Sequence, residues 1–108
     1  MQKILFIVGD KNSGKARVAR VAAQIAEQHH GAHAQIVDAA QPEALKRALA
    51  QRVHAAGKTL LIVEKRPQDR TPIRASARIN LDHFKRHPFG RALTFTIREA
   101  VDSCLVAN

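Results

Sequence analysis

Unbroken apolar runs alternate along this chain with stretches in which apolar residues recur every three or four positions. Ile4–Val8 is such a run, the mark of a strand buried on both faces, and it predicts a first strand over about Lys3–Val8. Val18, Val21, Ala22 and Ile25 then fall at i, i+3, i+4 and i+7, one face of a helix over about Gly14–His29 that Gly31 ends. Ala34–Asp38 predicts a short second strand. Pro42 suits a first helical position and Glu43 the positive end of a helix dipole. Leu45, Leu49 and Val53 carry that second helix forward to Gly57, and Thr59–Glu64, TLLIVE, predicts a third strand.

Beyond Glu64 the pattern is less regular. Lys65–Arg70 reads as a basic loop containing Pro67. Thr71 and Pro72 have the form of an N-cap and a first helical residue. Ile73, Ala77, Leu81 and Phe84 would line one face of a third helix to about His87, stopped by Pro88 and Gly90. Leu93–Ile97 fits a fourth strand, since Thr and Phe favour strands. Leu93, Ile97, Val101 and Leu105 also recur every four residues and fit one terminal helix from Arg91 onward. The sequence leaves both readings open.

Strands separated by helices of this length require crossover connections, hence a parallel sheet. The expected fold is α/β, a small three-layer sandwich with a mostly parallel sheet of three to four strands, formed by a single domain over residues 1–108. Ligands of such sheets bind beyond the carboxyl ends of the strands.

At the carboxyl end of the first strand stands Gly9-Asp10-Lys11-Asn12-Ser13-Gly14-Lys15-Ala16. Its glycines allow a tight turn that brings several N–H groups toward one anion, and the helix that follows adds its unpaired N–H groups and positive dipole end. This segment resembles the phosphate-binding loop (Walker A) of P-loop nucleotide-binding proteins, G-x-x-x-x-G-K-[ST]. The resemblance implies a P-loop NTPase-like fold. It also implies that Gly9, Asn12, Ser13, Gly14, Lys15 and Ala16 hold the phosphates of ATP or GTP, with Lys15 reaching the outer phosphates. Ala16 departs from the pattern. The family has Ser or Thr there, whose hydroxyl helps hold Mg²⁺, and a methyl group cannot. The likeness therefore favours phosphate binding over hydrolysis or phosphoryl transfer.

Two acids end apolar strands. Glu64 resembles the Walker B acid that binds Mg²⁺ directly or through water, although the family more often has Asp. Asp38 stands where small-molecule kinases of this fold often place an acid against the phosphate acceptor. As plain chemistry, each is equally an exposed polar residue where a buried strand meets solvent.

The chain carries a net charge of +9, which favours anionic partners. Between Lys65 and Arg91 there are eight basic and two acidic residues, +6 of that total. Arg66, Arg70, Arg74 and Arg78 recur every four residues, and Arg74, Arg78 and Lys85 would share a face of the third helix. This segment reads as a lid over phosphates, as a contact for nucleic acid or an acidic protein, or as a solvated face with Arg78 paired to Asp82. The alternative to a nucleotide-binding protein is therefore a non-enzymatic nucleic-acid-binding or regulatory protein.

Other chemistry is thinly represented. One cysteine, Cys104, excludes an intrachain disulfide framework and suits plain packing. His29, His30 and His33 cluster near a helix end, and His83 and His87 stand at i, i+4. The i, i+4 pair has no third ligand fixed nearby, and His near a helix C-terminus suits the dipole alone, so no metal site is expected. The apolar run after Met1 is too short for a signal peptide and no stretch is of membrane-spanning length. A cytoplasmic protein is expected.

Overall fold

The computed structural model describes residues 2–51, 57–71, 73–84 and 90–106. In chain order these form β1 (Gln2–Val8), α1 (Lys15–His30), β2 (His33–Asp38), α2 (Pro42–Gln51), β3 (Thr59–Lys65), β4 (Ala77–Asn80), a 3₁₀ turn (Leu81–Phe84) and α3 (Arg91–Leu105). Val53, Pro72, Lys85, His87 and Pro88 lie outside the described residues.

The four strands form one all-parallel sheet in the order β2-β3-β1-β4. The two central strands are the two most apolar runs in the sequence. Leu5, Ile7, Leu61, Ile62 and Val63 are fully buried, as expected of strands covered on both faces. Alternation divides their side chains between two cores. Leu5, Ile7, Leu60 and Ile62 face α1 and α3; Ile4, Phe6, Val8, Leu61 and Val63 face α2. The result is the expected three layers.

The path of the chain explains which element covers which face. From β1 the chain moves two places along the sheet to β2. It then returns one place to β3 and passes over β1 to β4. Crossovers of one hand put connections running in opposite directions on opposite faces. Hence α1 lies on one face, and α2 and the 66–76 connection lie on the other. The described residues of that last connection form no helix. Among the described residues, Ile73 and Ala75 of this connection pack against the second core beside β1.

The expected third helix does not form over its described residues, Thr71 and 73–84. Thr71 does not cap amides; its hydroxyl donates to the Ile73 carbonyl at 3.3 Å. Ala77–Asn80 instead pairs with Leu5–Val8, and Ser76 extends the contact by donating its N–H to the Ile4 carbonyl at 2.8 Å. The open side of β1 outweighs the local helical spacing, because a central apolar strand left unpaired would bury unsatisfied backbone groups. Asn80 then ends the strand, its Oδ1 accepting from the Asp82 N–H at 3.0 Å.

At the other uncertain position the helix prevails. No strand forms at Leu93–Ile97; α3 runs through it and buries Leu93, Ile97, Ala100, Val101, Cys104 and Leu105 on one face. The threonines adapt to it. The Thr94 and Thr96 hydroxyls donate to the Gly90 and Ala92 carbonyls, four residues back, at 3.4 and 2.8 Å.

Candidate functional site

Adjacent strands β1 and β3 send their connections to opposite faces, so the crevice beyond their carboxyl ends is the switch point at which parallel sheets bind ligands. The Gly9–Ala16 segment lies there. The Gly9 N–H donates to the Lys65 carbonyl at 3.1 Å, which ties the start of the loop to the end of β3. The chain then turns, with the Ser13 N–H returning to the Asp10 carbonyl at 3.1 Å.

Two glycines are required by this geometry. A Cβ on Gly9 would lie 3.0 Å from the Ser13 Cβ and 3.2 Å from the Leu81 Cβ, and closer still to the Ser13 Oγ. Gly14, the N-cap of α1, has φ +92°, a conformation other residues adopt only with strain. Asn12 also has positive φ, at 67°, which Asn tolerates better than most residues.

Gly14 offers no side chain to cap α1. Among the described residues, no backbone carbonyl accepts from the N–H groups of Asn12, Gly14, Lys15 or Ala16. The Lys15 side chain curls back across the turn and donates from Nζ to the carbonyls of Gly9 at 2.8 Å and Asp10 at 2.7 Å. One ammonium group is thus pinned at a turn in which four amides, those of Asn12, Gly14, Lys15 and Ala16, have no backbone acceptor among the described residues. The Ser13 hydroxyl is buried against Gly9 and also has no partner among the described residues.

Glu64 and Asp38 are cross-strand neighbours at the same edge of the sheet. Burial raises the Glu64 pKa above its ordinary value, the Asp38 charge raises it further, and Lys15 opposes both. The two expected acids and the loop lysine therefore share one electrostatic neighbourhood. The Asp38 Oδ1 is already engaged by the Ala40 N–H at 2.9 Å, closing the turn into α2. Among the described residues no group of three or more His, Cys, Asp or Glu is placed to hold a metal ion.

The basic residues are distributed differently from the expected helical face. Arg66 is bound within its own loop: its Nη2 donates to Asp69 Oδ1 at 3.2 Å and its backbone N–H to Oδ2 at 3.1 Å. Those bonds, the backbone one first, hold the Asp69 carboxyl below the usual range. Arg74 and Arg78 share no helix, and the expected Arg78–Asp82 helical pairing is lost with it. Arg70, Arg74 and Arg78 instead line an open groove of about 580 Å³ with Lys65, Phe6 and Ile73. Lys65 begins the basic segment but was not singled out among its contact residues. It is the last residue of β3, buried, with its ammonium 6.0 Å from the centre of the Phe6 ring and donating to the Arg66 carbonyl at 3.1 Å. The strand alternation that puts Val63 on the Phe6 face also puts Lys65 there, a signal present in the sequence once the register is known.

No protein-family model, curated protein or solved structure matches this chain. No helix among the described residues is long and apolar enough to cross a membrane.

Proposed function

We propose that this chain binds a nucleotide such as ATP or GTP, or another phosphate ligand, through Gly9–Ala16 on a P-loop-like α/β scaffold in the cytoplasm. The observation that carries this reading is Lys15, held over a tight turn in which the amides of Asn12, Gly14, Lys15 and Ala16 have no backbone acceptor among the described residues, at the switch point of a parallel sheet. A phosphate arriving there exchanges water for backbone N–H groups, the helix dipole and one ammonium. It competes with the Gly9 and Asp10 carbonyls for Lys15, and its charge makes it the stronger acceptor.

Mg²⁺ accompanying a nucleotide would meet Glu64 and Asp38, since Ala16 has no oxygen to offer. Two adjacent carboxylates repel one another, and a divalent cation relieves that repulsion. Bound there it would neutralise phosphate oxygens. With the loop hydroxyl missing, we read the protein as a binder first, with NTPase or kinase chemistry at most weak.

Calorimetric titration of ATP and GTP, with and without Mg²⁺, into the native chain and Lys15→Ala tests this. Loss of a charge-assisted bond is expected to weaken binding by about 10- to 100-fold. Unchanged affinity in Lys15→Ala would refute the assignment.

A further inference from the structure

The connection between β3 and β4 leaves a second feature that the loop does not use. The groove lies on the α2 side of the sheet, with Phe6 and Ile73 of the second core in its floor, whereas Gly14 and Lys15 lead into α1 on the other side. Four cations line it: Lys65 and the exposed Arg70, Arg74 and Arg78. Among the described residues none of these three arginines has an ion pair. The one carboxylate in the lining, Asp69, is held by Arg66 and leaves the excess uncompensated.

We propose that this groove is a second anion site, separate from the loop, that takes the phosphodiester backbone of a nucleic acid. Four cations in one open groove exceed what a single phosphate neutralises and suit a repeating anion. Guanidinium forks match phosphate oxygens in pairs. Recognition is of backbone rather than bases, because Phe6 is 3% exposed, lies beneath the Lys65 ammonium and presents no face for stacking. The site is accordingly indifferent to base sequence and strongly dependent on salt.

The test is fluorescence anisotropy with end-labelled 20-nucleotide single strands and duplexes of mixed sequence, across a salt series. The full chain is compared with three variants. Arg74→Ala with Arg78→Ala should lose about 10-fold or more in affinity and flatten the log–log salt slope by about 2, one for each phosphate contact removed. Arg20→Ala with Arg98→Ala removes the same charge from exposed positions on α1 and α3 and should change affinity by less than about 3-fold, as expected of charges outside the contact. Lys15→Ala should bind the oligonucleotide like the native chain, which separates this site from the loop. The single-strand and duplex arms identify which form of backbone the groove prefers. If the alanine pair fails to fold, Arg74→Gln with Arg78→Gln gives the same reading. The proposal is overturned by equal losses in the two charge-matched pairs, by polyglutamate competing as well as the oligonucleotide, or by no binding to the native chain at low salt.

Discussion

Glu64 is the next-to-last residue of the most buried strand of the sheet, where its carboxyl feels the charges of Asp38 and Lys15. Its pKa is raised above the ordinary 4.5 in the folded chain, chiefly by burial and then by Asp38. A carboxyl shifted this way favours folding while protonated. Its contribution is complete below the unfolded value and disappears as pH rises through the folded one. At neutral pH the ionised Glu64 therefore works against the fold, and Glu64→Gln should melt at a higher temperature than the native chain. The difference should close as pH falls toward 4, which paired thermal melts across that range would show. Cys104 illustrates burial on an uncharged group: desolvation pushes its thiol up to about 11, consistent with the packing role expected of it. The loop residues were legible because they are consecutive. A turn, a glycine N-cap and a lysine are all specified within one short segment. The groove was only partly so. Its arginines stand out by charge, but Phe6, Lys65 and Arg78 come from three strands and meet only once the register is fixed.

Among the elements, β1, β2, β3 and α1 follow from hydrophobic pattern and end signals, within a residue of the expected bounds; α2 starts at Pro42 as expected, and its expected continuation past Gln51 lies outside the described residues. Gly31 ends α1 as expected, with the Ala32 N–H returning to the Ala26 carbonyl at 3.0 Å. The region after Glu64 was misread for one reason. Four-residue spacing of apolar side chains describes a helix only if no neighbouring strand needs that segment, and β1 needs one. In β4 the relevant period is two, but it lasts only through Ala77–Asn80, too short to stand out against the longer helical spacing. For α3 the outcome turned on length: an apolar face sustained to Leu105 outweighs a few strand-favouring residues. The start of α1 yields a sharp expectation. Gly14→Ala forces a side chain into φ near +92° and should destabilise the chain by about 1–3 kcal/mol in chemical denaturation. It should also weaken nucleotide binding, because relaxing the strain rotates the amides of the loop. Substituting Gly31, which has open space around it, should leave nucleotide affinity as it is.

For the molecule as a whole, the two proposed sites belong to different connections: the loop between β1 and α1, and the crossing from β3 to β4. The strand order β2-β3-β1-β4 has a further consequence, in time rather than in space. During synthesis β1 leaves the ribosome before the other strands of its sheet, yet both its neighbours, Thr59–Lys65 and Ala77–Asn80, come much later in the chain. Its apolar segment must wait, at roughly 5–20 residues per second, until both of those strands have been made. Nascent chains stalled after Lys58 should therefore be retained by chaperones that hold exposed apolar segments. Chains stalled with β4 clear of the exit tunnel should be released, a difference that crosslinking on stalled ribosomes would detect.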